Sequence, residues 1–376
     1  MSRTLKVATV QMEATPAPTG QRLERAARIV AEAAAQGAQL VVLPELFNTG
    51  YQYHERNYAL AEPLDGVTLS WMKQQAAQHN VHLAGSFLLL DNEDIYNSAF
   101  IIAPDGRAWR YDKIYPYNWE RAYFREGNRT TIADTDLGKL GMLICWDSAH
   151  PDLWQRYAGK IDALVVTSCP PLLHRADLLF PDGARIPVTI GGALLADDVH
   201  FQDKDMDDHA AWLGVPVIAS QGAGTFCSTM PMPQLSVAAM LGPRADLWEH
   251  VKQAHEVILE AGYGHFAKVI DGEGEVRARV ESDGDGFALA EVPLAETPPQ
   301  PTAAPPPMRL PAPAYFAIDT FGTNMLVQTY RSAVRRQWGP HMAPVDPRTR
   351  MWGTLLAVTA AAAAFVGYLF GRSRAD

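Results

Sequence analysis

The sequence is poor in cysteine, with three in 376 residues: Cys145, Cys169 and Cys227. None falls in the close paired spacing of a disulfide framework or a zinc site, so the count suits a reducing compartment and one functional thiol. No histidine pair has zinc spacing. Asp203, Asp205 and Asp207 open like a calcium loop, but the glycine required at Asp208 and the closing glutamate required at Gly214 are missing. The run Asp197 to Asp208 is therefore read as a solvated acidic face, and no metal or other cofactor is expected. Basic residues are scarce too. The formal charge is −10, the isoelectric point is near 5.6, and the first 300 residues carry no Lys/Arg stripe able to neutralise phosphates, which excludes nucleic acid as a partner. The N-terminus lacks the charged and then long apolar run of a signal peptide. Met1 to Met12 reads as a short strand instead, which puts the start of the folded portion in the cytoplasm.

What is present is apolar enough to fold: 48% of the residues are hydrophobic and 20% charged, a globular balance. Leu5 to Gln11 reads as a strand, Gln21 to Gln36 as a helix ended by Gly37, and Gln39 to Leu43 as a β-branched strand closed by Pro44. A second helix fits Thr68 to His79, followed by an antiparallel hairpin of Val81 to Leu90 and Tyr96 to Ala103. Further strands are predicted over Arg107 to Asp112, Leu140 to Cys145, Ile161 to Thr167 and Val215 to Ser220. The closing strands are Phe266 to Asp271, Glu275 to Val280 and Gly286 to Val292, and a helix over Arg244 to Ala261 precedes them. This alternation gives one α/β domain over residues 1–294.

Beyond it, residues 295–314 are rich in proline and alanine, the composition of an extended, semi-rigid linker. A basic segment, 315–350, carries Arg331, Arg335, Arg336, Arg348 and Arg350, and Met351 to Gly371 then runs without a charge before the tail 372–376. That run is long enough to cross a bilayer as a helix, with Trp352 and Tyr368 near its two ends. More arginines flank the side of the folded domain, so the expectation is a juxtamembrane segment, a single transmembrane helix over 351–371, and a cell-membrane protein whose folded domain faces the cytoplasm.

Three segments carry candidate chemistry. Val41 to Glu45 is a buried strand that delivers a carboxylate at its end, where burial would raise the pKa of Glu45 into the range of a usable base. Arg110 to Ile114 ends a strand on Lys113, and Gly141 to Asp147 ends one on Cys145. A lysine beside a thiol favours the thiolate and can hold an oxyanion. Each piece alone is weak evidence, since a strand-end Glu, Lys or Cys is more often structural.

Their order says more. Pro44-Glu45 after a β-branched strand, Tyr111-Asp112-Lys113, and Ile144-Cys145-Trp146-Asp147 before Pro151 together closely resemble the nitrilase superfamily of carbon-nitrogen hydrolases over about residues 5–294. The segments Ala61 to Gly66, Pro104-Asp105-Gly106, Trp119 to Phe124 and Gly214 to Val217 add to the likeness. The resemblance implies a four-layer α-β-β-α sandwich. It also implies a Glu-Lys-Cys triad at Glu45, Lys113 and Cys145, and a second glutamate, Glu120, that supports the lysine. One departure is His150 before Pro151-Asp152, where many relatives have an aromatic residue and Pro-Glu; another is the extra helix. Tyr51, Trp119, Trp146 and Cys169 are candidate substrate-binding residues, with His174 a further pocket candidate; each is equally readable as packing, and Cys169 and Cys227 as small buried hydrophobes. The expected activity is hydrolysis of a small linear amide through a thioester, with carbamoyl and ω-amide compounds as candidate substrates. The alternatives are a nitrilase acting through a thioimidate and a silent membrane-tethered scaffold. Expected partners are the amide or nitrile substrate, the bilayer, and further copies of the chain as a homodimer or larger homo-oligomer.

Overall fold

The computed structural model describes residues 3–188, 201–242, 244–310, 315, 318–319 and 323–344. Alternate side chains of a strand point to opposite faces, and in β1 (Arg3–Glu13) both sets are buried from Val7 to Met12. β1 accordingly sits inside a mixed sheet. It pairs in parallel with β2 (Leu40–Val42), which pairs in parallel with β3 (His82–Asp91). β3 forms the predicted antiparallel hairpin with β4 (Asp94–Ile102), and β5 (Ala108–Asp112) lies outside β4. Along its other edge β1 pairs antiparallel with β17 (Gly286–Leu294) and, past Gln11, in parallel with β12 (Gln221–Ala223).

A second mixed sheet runs β16 (Val276–Arg279), β15 (Lys268–Ile270), β11 (Val217–Ala219), β8 (Ala163–Thr167), β7 (Gly138–Ile144) and β6 (Ile132–Thr135). The two sheets stack face to face. Leu5, Val7, Leu40, Val42, Ala84 and Ile101 from the first meet Leu140, Met142, Ala163, Val165, Ile218 and Val269 from the second, all buried in one cluster. Helices cover the outer faces. α1 (Thr19–Ala35) and α2 (Val67–His79) pack Leu23, Ala26, Val30, Leu69 and Met72 onto Val10, Val41 and Leu83. α3 (Pro151–Tyr157) and α4 (Lys204–Leu213) bring Leu153, Trp154, Met206 and Leu213 to the second sheet. The result is an α-β-β-α sandwich.

Three expectations need correction here. The helix predicted over Arg244 to Ala261 does not form as such: Ala245–Glu256 winds as a 3-10 helix, and Ile258–Gly262 is a strand, β14. Val257, Leu259 and Ala261 are buried while Ile258 and Glu260 are not, so the period of two prevails at this end. β14 belongs to a small antiparallel sheet with β13 (Thr225–Ser228), β9 (Asp177–Leu179) and β10 (Arg185–Pro187). Cys227, expected to be buried, is exposed on β13 with its Sγ 3.9 Å from Glu260 Oε2. The acidic run is also less solvated than expected. Asp207 accepts a hydrogen bond at 2.6 Å from the buried Lys268 Nζ, and Asp205 and Asp208 pair with Arg309. Residues 197–200 of that run, including His200, lie outside the described residues.

The segments after the sandwich are attached to it. The Pro/Ala-rich stretch, read as a spacer, lies along the domain: Pro299 O accepts from Gly159 N, Ala303 O from Trp212 Nε1, and Arg309 pairs with Asp205. Within the basic segment, α5 (Thr323–Trp338) is amphipathic and buries Leu326, Val327, Tyr330, Ala333 and Val334, lying against the 3-10 turn Asn118–Ala122 and the short helix Arg56–Ala59. Burying Leu326, Val327 and Val334 is worth about 1.5–3 kcal/mol each. Two of its arginines serve this docking: Arg335 donates to Met342 O and Ala343 O, and Arg336 lies 3.7 Å from Glu55. Among the described residues no helix is long and apolar enough to cross a membrane. The uncharged run 351–371 lies outside them.

Candidate active site

Three strands of the sandwich end at one place. β2 stops before Pro44 and hands Glu45 to a turn, β5 ends one residue before Lys113, and β7 ends at Ile144 with Cys145 opening a 3-10 turn, Cys145–Ala149. All three side chains are buried. Lys113 Nζ lies between two carboxylates, donating to Glu45 Oε1 at 2.8 Å and reaching Glu120 at 2.9 Å (Oε1) and 2.7 Å (Oε2). Glu120 comes from a separate 3-10 turn, Asn118–Ala122, and is itself fixed. Tyr51 OH donates to its Oε1 at 2.6 Å and Tyr117 N to its Oε2 at 2.6 Å.

The electrostatics divide the roles. Burial pushes the Glu45 carboxyl up to about 7, against the opposing pull of Lys113. Burial also opposes the charge on Lys113, but Glu120 and Glu45 outweigh it and hold the ammonium well above the usual lysine range. Cys145 is pushed far up, first by burial and then by Glu45, while Lys113 and the backbone N–H of Cys169 favour its thiolate. The resting site thus pairs a neutral thiol and a carboxyl that titrates near neutrality with a cation that does not titrate. Glu45 Oε1 is occupied by Lys113 and by Asn97 Nδ2 at 2.8 Å, whereas Oε2 has no hydrogen-bond partner among the described residues.

Cys145 has φ +48°, a left-handed conformation that costs a non-glycine residue roughly 1–3 kcal/mol. Asp147 holds it there. Its Oδ2 accepts from Ile144 N at 3.1 Å and from Tyr111 OH at 2.8 Å, and its Oδ1 accepts from Ile114 N at 3.1 Å and Tyr115 N at 2.7 Å. One buried carboxylate therefore ties the turn that carries the thiol to the segment that carries the lysine. Burial raises Asp147 to about 6. Neither Asp147 nor Asn97 stood out in the sequence as more than motif neighbours. The available signal was a polar residue within a strongly apolar strand, as Asn97 is in β4.

A cavity opens on Cys145, walled by Tyr51, Tyr53, Tyr117, Trp146, Phe201 and Phe266 with Gln202. Of the four expected substrate-binding residues, Tyr51 and Trp146 line it; Trp119 and Cys169 are buried behind the wall. Trp119 donates from Nε1 to Ser236 Oγ at 3.1 Å and packs edge-on against Tyr53, and Cys169 Sγ abuts the backbone at Gly222. His174, the further candidate, is not in the wall either. His150, the departure from the family pattern, stacks on Tyr115 at 3.6 Å and lies with Nε2 3.0 Å from Asp319 Oδ2. Asp319 Oδ1 accepts from Trp146 Nε1 at 2.9 Å.

Comparison with known proteins agrees with this geometry. The carbon-nitrogen hydrolase family model matches residues 6–299. A nitrilase of Pyrococcus abyssi is 30% identical over 185 residues, 48% of this chain and 68% of that protein. An (R)-stereoselective amidase of a Pseudomonas species is 30% identical over 162 residues, 43% of this chain and 58% of the relative. Nitrilase 3 of Arabidopsis thaliana is 31% identical over 171 residues, 40% of this chain and 49% of the relative. The chain thus spans about half to two thirds of the length of these relatives. In fold it is similar to the crystal structure of an amidase from Nesterenkonia sp. (TM-score 0.56, 17% identity, 77% of this chain and 90% of that one). It is equally similar to a nitrilase-superfamily protein of Saccharomyces cerevisiae (TM-score 0.56, 22% identity, 77% and 90%). With strands that converge on a buried Glu-Lys-Cys cluster and a family match across nearly the whole sandwich, the chain belongs to the carbon-nitrogen hydrolases of the nitrilase superfamily.

Proposed function

We propose that the protein is an amidase that hydrolyses a small carboxamide with Cys145 as nucleophile. The observation that carries this reading is Lys113, buried and held as a cation between Glu45 and Glu120. A cation fixed in this way has no proton to exchange during turnover, but it can stabilise the oxyanion of a tetrahedral intermediate, which a carbonyl substrate forms. Glu45, at about 7, is the group able to move protons. It takes the thiol proton as sulfur attacks the carbonyl carbon and passes it to the leaving nitrogen; ammonia departs and a thioester remains. Glu45 then deprotonates a water, and collapse of the second tetrahedral intermediate releases the carboxylic acid and restores the thiol. The backbone N–H of Trp146 is the second oxyanion donor, and Glu120 keeps Lys113 charged and in place.

The similarity to proteins named nitrilase favours a competing reading, attack on a nitrile to form a thioimidate. Ammonia release from matched amide and nitrile panels separates the two. The amidase reading expects turnover of the amides that Cys145→Ala abolishes; a Cys145→Ala variant that still hydrolyses them refutes it.

The same reading includes attachment to the membrane through the uncharged run 351–371, with the catalytic domain on the cytoplasmic side and the chain assembled as a homo-oligomer. Fractionation with and without residues 351–376 tests the anchor, and equal solubility of both forms would rule it out.

A further inference from the structure

Gln202 is a polar side chain of the cavity wall that the mechanism does not use. Gln202 is fully buried, lines the cavity between Phe201 and the turn of Cys145, and its Oε1 has no hydrogen-bond partner among the described residues. Its amide orientation is determined by its neighbour. Ser148 Oγ donates its one proton to Cys145 O at 2.7 Å, so toward Gln202, 3.3 Å away, it can only accept. The Gln202 atom facing Ser148 is therefore the amide nitrogen, which leaves the carbonyl oxygen unpartnered in a side chain that lines the cavity. A buried acceptor without a donor is a standing cost, recovered when a ligand brings the donor.

Two further observations narrow the ligand. The scissile nitrogen has to reach Glu45, whose unpartnered Oε2 is the proton carrier, so its N–H groups are not available to Gln202. Among the described residues the rest of the wall is aromatic, proline or leucine beside Cys145 and carries no Lys, Arg or His, so a charged acyl group meets no counter-ion from them. We propose that Gln202 is a specificity-determining residue that accepts a hydrogen bond from a hydroxyl or N–H on the acyl portion of an uncharged, largely apolar carboxamide. This deepens the amidase reading and rests on it. It also argues against the carboxylate-bearing ω-amides among the expected substrates.

The experiment uses the full chain and three amides: phenylacetamide, 4-hydroxyphenylacetamide, and mandelamide as separate enantiomers, with ammonia release giving kcat/KM. At least one hydroxylated amide is expected to exceed phenylacetamide by about tenfold or more, because a site with a buried acceptor discriminates against a ligand lacking the donor. In Gln202→Met that ratio should fall toward one. The same ratio read as dissociation constants in Cys145→Ala, with and without Gln202→Met, isolates binding from turnover. Gln202→Asn, which withdraws the carbonyl by one methylene, serves if the methionine variant does not fold. Amide hydrolysis with no preference for any hydroxylated amide, or a preference that survives both substitutions, overturns the role of Gln202 and leaves the amidase standing. No ammonia from any amide while phenylacetonitrile is turned over overturns the amidase reading, and this inference with it.

Discussion

Replacing Lys113 by methionine, which keeps the length of the side chain and removes its charge, tests the electrostatic design of the site most directly. Lys113 Nζ is within 2.9 Å of oxygens on both Glu45 and Glu120, and all three side chains are buried. Removing one partner of a buried ion pair costs about 3–5 kcal/mol, because the remaining charge has neither water nor a counter-ion. Glu45 gives this penalty a pH dependence with a definite sign. Its carboxyl is raised in the folded state, so folding is favoured when it is protonated, and stability is lost as pH rises from its unfolded value toward its folded one. In the wild type that loss ends near pH 7, where Glu45 titrates. Without Lys113, burial acts unopposed, the folded value moves higher still, and the loss continues at about 1.4 kcal/mol per pH unit. Between roughly pH 7 and 8.5 the stability gap between wild type and Lys113→Met should therefore widen by about 2 kcal/mol from Glu45 alone. Urea denaturation at those two pH values reads it directly. A gap that stays flat or narrows, or a variant as stable as wild type, would refute the argument that Lys113 is the charge holding the carboxylates in the interior.

Other consequences are open to simpler tests. Because Glu45 must be ionised to take the thiol proton, kcat/KM should fall as pH drops through about 7; Glu45→Gln should lower the rate by about 100-fold or more and erase that limb, and a limb that persists assigns it to another group. Tyr330→Phe removes the hydroxyl that accepts from Ile95 N at 2.8 Å and donates to Asp94 Oδ1 at 2.8 Å, so α5 should loosen at a cost of about 1–3 kcal/mol in urea titration. An unchanged midpoint would mean that the helix contributes nothing to the fold. Gly222→Ala puts a methyl group into Cys169 Sγ and should cost about 1–3 kcal/mol. Adding Cys169→Ala should recover most of that loss, and failure to do so would place the strain elsewhere.

Much of the site was legible because its parts are local. A strand that ends in Pro44-Glu45, another that ends at Lys113 and a third at Cys145 are each readable from apolar runs and their punctuation. Once those runs stack as sheets, the three ends converge. Strands of β2 and β11 type, three residues each, were readable because both of their faces are apolar. The small sheet of β9, β10, β13 and β14 was not readable: its strands are three to five residues long, and their pairing partners are up to 83 residues apart, as for Asp177 and Glu260. The helix expected over Arg244 to Ala261 failed for the same reason, since it is the pairing of Leu259 with Leu178 that holds this end extended.

The sequence by itself determined that a thiol, a carboxylate and a lysine each stand at the end of a strand, and the order of those segments carried the resemblance that assigns them chemistry. Composition and periodicity act through nearest neighbours and through the choice of buried face, so they reach only as far as the strand ends. Only the tertiary structure decided the states and surroundings of those groups. Burial raises Glu45 to about 7, two carboxylates keep Lys113 charged, Asp147 pins the backbone of Cys145, and Ser148 takes the amide nitrogen of Gln202 and leaves its carbonyl unpartnered. Each of these depends on desolvation or on hydrogen bonds between segments far apart in the chain, and neither exists until the chain has folded.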